Sequence, residues 1–152
     1  MSVLHHASDL RKGRVSELGW VYLVTTVVEQ RRPLFRDFYL GRLVVTALRV
    51  EHDAGAVESL AWVLMPDHLH WLIRLRNAGL EEVMRRVKSR SAVAVNRALE
   101  ARGRVWQKGY YDHAARRDED FQAMARYVVA NPVRAGLAQS VREYPLWDAV
   151  WV

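Results

Sequence analysis

VESLAWVLM-PD-HLHWLIRL, residues 57–75, sets two apolar runs of strand length on either side of a two-residue turn, and its reading decides the fold. Val57–Met65 is rich in β-branched and aromatic residues and Pro66-Asp67 is a turn pair, so the stretch predicts two consecutive strands. Within His68–Leu75 the side chains alternate. Leu69, Trp71, Ile73 and Leu75 point to one face, and His68, His70, Leu72 and Arg74 to the other. The first face is apolar throughout. The second carries two imidazoles at i and i+2.

Upstream, Trp20–Val28 (WVYLVTTVV) reads as a buried strand broken by Arg31-Arg32-Pro33. From Asp37, Phe38, Leu40, Leu43, Val44, Ala47 and Leu48 recur at helical spacing until Asp53-Ala-Gly55. Downstream, Gly79 precedes a long helix whose apolar stripe is Leu80, Val83, Met84, Val87, Val95, Ala98 and Leu99, closed by Gly103. Val105–Ala115 predicts a fourth strand. Asp118 is an N-cap residue for a last helix from Glu119 to about Asn131, stopped by Pro132. The tail after Gly136, with Tyr144, Pro145, Trp147 and Trp151, is expected to pack back on the body. The order β-α-β-β-α-β plus a helix predicts an α+β, ferredoxin-like (split β-α-β) sandwich. Its antiparallel four-stranded sheet carries two helices on one face and the extra C-terminal helix on the other.

The chain has 152 residues, enough for one domain with a sizeable core. Residues 1–18, with Arg11, Lys12 and Arg14, read as a flexible basic arm, and 19–152 as the domain. No apolar run reaches membrane-spanning length and the start lacks signal-peptide features, so the expected location is cytoplasmic. Cysteine is absent, which excludes disulfides, thiolate nucleophiles and Cys-ligated zinc. The net charge is +6, and between Glu81 and Lys108 eight basic residues face three acidic ones. Such a surplus attracts polyanions, above all nucleic acid, although a solvated helix face has the same composition.

Two histidines on one strand face can share a metal ion, but a chain with six histidines also produces such pairs by chance. On the last helix Tyr127 and Asn131 are four apart and share a helical face. By pattern alone, Tyr127 reads as a half-buried packing residue rather than a reactive one.

Four segments occur in order: Trp62-Val-Leu-Met-Pro-Asp-His68-Leu-His70-Trp-Leu-Ile, Val87-Lys-Ser-Arg90, Trp106-Gln-Lys-Gly-Tyr-Tyr-Asp-His113, and Arg126-Tyr127-Val-Val-Ala-Asn131-Pro-Val-Arg-Ala-Gly-Leu137. Together they resemble the REP-associated tyrosine transposases, a branch of the HUH single-tyrosine (IS200-like) transposases, over nearly the whole chain. The resemblance implies a catalytic last helix with Tyr127 as the nucleophile. It implies His68, His70 and Asn131 as ligands of Mg2+ or Mn2+, and a 5′-phosphotyrosine intermediate. It also implies single-stranded DNA hairpins with a short 5′ recognition sequence as the substrate, cleaved and rejoined by a monomer or homodimer. Arg85, Arg86, Lys88, Arg90, Lys108 and Arg134 are then candidate phosphate contacts. Trp106 and Tyr110, with Tyr111, are candidate stacking residues, and His113 a further DNA contact. Two other readings stay open: a non-catalytic, RRM-like single-strand binding module, and a small zinc hydrolase with Asp67 as an additional ligand.

Overall fold

A computed structural model of the chain describes residues 18–116 and 120–151. The arm expected over residues 1–18 and the Asp118 cap therefore fall outside it, apart from Leu18. Strands β1 (Val21–Val27), β2 (Val57–Met65), β3 (His68–Leu75), β4 (Tyr111–Ala114) and β5 (Trp147–Ala149) form one sheet in the order β4-β1-β3-β2-β5. Every neighbouring pair is antiparallel. Helices α1 (Phe38–Asp53) and α2 (Leu80–Leu99) provide the two crossovers. α3 (Phe121–Val129) and the one-turn α4 (Asn131–Arg134) follow β4. The ferredoxin-like order is thus present, and the hairpin read from residues 57–75 has the expected bounds.

The sheet is two-sided, as the alternation in β3 demands. Leu69, Trp71, Ile73 and Leu75 are buried among Leu40, Val44 and Leu48 of α1 and Val83, Met84 and Val87 of α2. Trp71 is fully buried, and its indole N–H donates to Ser59 Oγ at 2.9 Å, which satisfies the one polar atom that this core position brings with it. On the opposite face Ala125 and Val129 of α3 pack with Val21, Leu60, Ala61 and Leu72. Val128 packs with Val63 and Met65.

Four expectations need correction. The sheet has five strands, because the aromatic tail returns to pair with β2 (Val63 opposite Trp147, Ala61 opposite Ala149). Three residues are too few for a period-two signal, and the open β2 edge supplies the reason for pairing. β4 is confined to Tyr111–Ala114, and Val105 and Trp106 enter the helix-face core instead, linked to the sheet by one bridge from Trp106 to Val28. α2 is closed by Glu100, which takes the left-handed conformation (φ 52°), rather than by Gly103. α3 is capped by Asp120, which accepts from the Ala123 amide at 3.0 Å, and it ends at Val129 rather than at Asn131. Pro132 has no amide hydrogen, so it fits the first turn of a new helix and not the interior of an old one.

The tail is part of the core. Leu146 is buried, and Tyr144 donates its hydroxyl hydrogen to the Leu64 carbonyl at 2.6 Å. α1 meets the tail at Gly41, where a Cβ would stand 2.5 Å from Leu146 Cδ1. Leu146→Ala should therefore cost about 2–4 kcal/mol in urea unfolding. A loss below about 0.5 kcal/mol, the range of ordinary surface changes, would show instead that the tail only rests on the surface.

Candidate active site

His68 and His70 project from the start of β3 toward the face that α3 covers. Their rings lie edge to face, with centroids 4.8 Å apart. His68 Nδ1 is 2.7 Å from Asp67 Oδ1, and since a carboxylate can only accept, this ring nitrogen carries the hydrogen. His70 Nδ1 is 2.7 Å from the Thr25 hydroxyl, across the β1–β3 register that pairs Thr25 with His70. Neither Nε2 has a hydrogen-bond partner among the described residues, and His68 Nε2 keeps its lone pair for a cation. Burial, with the charges of His68 and Arg134, pushes the His70 pKa down to about 4, so at neutral pH it is an uncharged imidazole with a lone pair to give. Burial alone would raise the Asp67 carboxyl. The His68 hydrogen bond and the charges of His68 and Arg31 outweigh it and hold Asp67 below its ordinary value.

α3 is fixed relative to these rings by packing. Val128 sits on Val63 and Met65, the β2 residues directly opposite His70 and His68. Tyr127 precedes Val128 and turns outward, 58% exposed. Arg134 comes back from α4 and covers it. Its guanidinium carbon lies 3.7 Å from the Tyr127 ring centroid, and Nη2 donates to the Tyr127 carbonyl at 2.6 Å. The same guanidinium acts electrostatically on His70. Asn131 donates from Nδ2 to the Val128 carbonyl at 3.0 Å, which leaves Oδ1 as its acceptor. Tyr127 and Asn131, expected on one continuous helix, lie on either side of an interruption at Ala130.

The basic cluster of α2 lies in the other layer, across the sheet from the histidines. Several of its residues already have partners within the fold. Arg86 makes a fork to the buried Glu51 carboxylate (Nη2 to Oε1 2.7 Å, Nε to Oε1 3.1 Å) and reaches Glu82 at 2.6 Å. Lys88 donates to the carbonyls of Gln107 and Gly109 and so pins that loop. Trp106 is a core residue that donates to Ser91 Oγ at 2.9 Å, and Tyr110 is buried in the same layer. Arg85, Arg90 and Lys108 remain exposed. His113 lies opposite Leu23 on the histidine face of the sheet. Sequence reading passed over Thr25 and Arg31. Thr25 was hidden in a continuous β-branched run, and only strand register reveals that it meets His70. Arg31 served as a chain breaker, yet its guanidinium bonds Asp67 at 3.1 Å.

Residues 19–131 match the family model "Transposase IS200 like", and the chain belongs to that transposase family. Its relatives include the "REP-associated tyrosine transposase" of Escherichia coli (strain K12), 23% identical over 140 residues that span 91% of this chain and 80% of that one. The fold is shared with a solved structure described as a REP-associated tyrosine transposase bound to a REP hairpin, at TM-score 0.72 and 22% identity, covering 97% of this chain and 82% of that one. Among the described residues no helix is long and apolar enough to cross a membrane.

Proposed function

We propose that this transposase is of the REP-associated type and cuts and rejoins single-stranded DNA beside a hairpin, with Tyr127 as the nucleophile and a divalent cation held by His68 and His70. The observation that supports this most is the pair of Nε2 atoms, without hydrogen-bond partners among the described residues, on rings 4.8 Å apart and on the sheet face that the helix of Tyr127 covers. The two imidazoles and the Asn131 oxygen would make a three-donor set that leaves positions open for phosphate oxygens and water. Such a set suits Mn2+ better than Mg2+, which prefers oxygen throughout. The cation, when bound, would act as a Lewis acid on the scissile phosphate.

The chain's own residues do the rest. Tyr127 Oη attacks phosphorus as the bond to the upstream O3′ breaks. The 3′ oxygen takes up a proton, and the downstream strand stays linked through a 5′-phosphotyrosine. The linkage is a phosphodiester like the bond it replaces, so a 3′-hydroxyl can reverse the reaction without ATP. Arg134 orients the Tyr127 ring and brings a fixed positive charge to the incoming phosphate.

Denaturing gels of a panel of 3′-labelled hairpin oligonucleotides test the proposal. Label should migrate with the protein when Mn2+ or Mg2+ is present and vanish with EDTA. Specific hairpin binding without adducts under any metal condition would instead favour the RRM-like module. Against that module, Tyr22 and Trp71 on the inner strands are buried under α1 and α2 rather than displayed for base stacking. Against the zinc hydrolase, Asp67 is engaged by His68 and Arg31, and no group of three His, Cys, Asp or Glu side chains placed to hold a metal occurs among the described residues.

A further inference from the structure

Both candidate ligands are held from behind. The Asp67 carboxylate accepts from His68 Nδ1 at 2.7 Å, and the Thr25 hydroxyl meets His70 Nδ1 at the same distance. The two supports come from different parts of the chain, the β2–β3 turn and the middle of β1. They engage the same atom of each ring. Thr25 is itself buried, so its position is set by packing. Asp67 is steadied in turn by Arg31, whose Nη1 donates to Oδ2 at 3.1 Å, so its two carboxylate oxygens serve different partners.

Arg31 is delivered by an unusual piece of backbone. Gln30 and Arg31 are consecutive non-glycine residues at φ 60° and φ 50°, a conformation that costs on the order of 1 kcal/mol each. The surrounding bonds enforce it. The Val28 amide donates to the Asp67 carbonyl and the Glu29 amide to the Val105 carbonyl, both at 2.8 Å, and the Arg31 amide donates back to Val28 at 2.9 Å. An exposed ion pair between Arg31 and Asp67 contributes little to stability. The strained turn is better explained by where it puts the guanidinium.

We infer that Thr25 and Asp67 are positioning residues that fix the tautomer and tilt of His70 and His68, so that both Nε2 lone pairs face one cation, with Arg31 anchoring Asp67. The inference rests on the metal reading above. Its physical basis is general: a ligating imidazole whose other nitrogen is held by a carboxylate or hydroxyl is pre-oriented and more basic, and losing that partner typically lowers metal affinity about 10–100-fold.

The test uses the whole chain and needs no DNA. Long-range 1H–15N spectra of the metal-free protein should show both rings protonated at Nδ1. In Asp67→Ala the His68 ring, and in Thr25→Val the His70 ring, should lose that single tautomer. Mn2+ affinity measured by EPR should fall about 10–100-fold in each, whereas Thr25→Ser should stay close to wild type. Arg31→Ala should give a smaller loss than Asp67→Ala. If the wild type takes up no Mn2+, the metal site itself fails, and this inference with it. If the wild type binds Mn2+ and both Asp67→Ala and Thr25→Val keep its tautomers and affinity, only the inference is overturned.

Discussion

Tyr127→Phe should remove covalent protein–DNA adducts, lowering their rate of formation at least about 10³-fold, while hairpin binding stays within about two-fold of wild type. The substitution deletes one oxygen from a side chain that is 58% exposed. No hydrogen bond of the Tyr127 hydroxyl is seen among the described residues, and Arg134 can cover a phenylalanine ring as well as a phenol. Stability should therefore shift by no more than about 0.5 kcal/mol. The structure also narrows the alternatives among the six tyrosines. Tyr22 and Tyr110 are buried in the α1/α2 layer, and Tyr39 stands in the first turn of α1. Tyr144 spends its hydroxyl hydrogen on the Leu64 carbonyl, and burial pushes its pKa up to about 12. Tyr111 is the one rival on the histidine face, because it lies opposite Thr25, which in turn lies opposite His70. Adducts that persist in Tyr127→Phe and disappear in Tyr111→Phe would move the nucleophile to β4. Loss of hairpin binding in Tyr127→Phe would make the ring a recognition element rather than an attacking group.

The fold was legible where side-chain period is strong and failed where tertiary contacts decide. Alternation in His68–Leu75 gave both faces of the sheet, and the split order of strands and helices followed from run lengths and breakers. Three-residue β5 carries no period, and it exists because β2 offers an unpaired edge and Gly41 leaves room for Leu146. Trp106 and Tyr110 look alike to a sequence reader as stacking platforms or core residues. Only the position of Ser91, one partner for one indole N–H, shows which role Trp106 takes. At the site, the histidine pair could be read from spacing. Thr25 lies 45 positions from His70, and no local pattern connects them. The same holds for Arg31 and Asp67, which are 36 apart.

The basic charge of α2 could not be apportioned from the sequence for a related reason, and Arg86 gives the sharpest test of where it goes. A count of charges treats Arg86 as free to meet phosphate, but the fold surrounds it with Glu51, 3% exposed, and Glu82. Arg86→Ala would leave the Glu51 carboxylate buried without its cation, at a cost of about 3–5 kcal/mol, or a fall in melting temperature on the order of 10 °C for a chain of this size. That is a large share of the roughly 5–15 kcal/mol that holds a domain together. Replacing both partners, Glu51→Leu with Arg86→Leu, should recover much of the loss, because the penalty belongs to the stranded carboxylate rather than to the missing attraction. Hairpin affinity supplies the second readout. Corrected for folded fraction, Arg86→Ala should leave the slope of log K against log salt unchanged, whereas removing a true phosphate contact lowers it by about one. A reduced slope with intact stability would return Arg86 to the DNA interface. An unchanged slope with a low melting point assigns it to holding α1 against α2, away from the DNA interface.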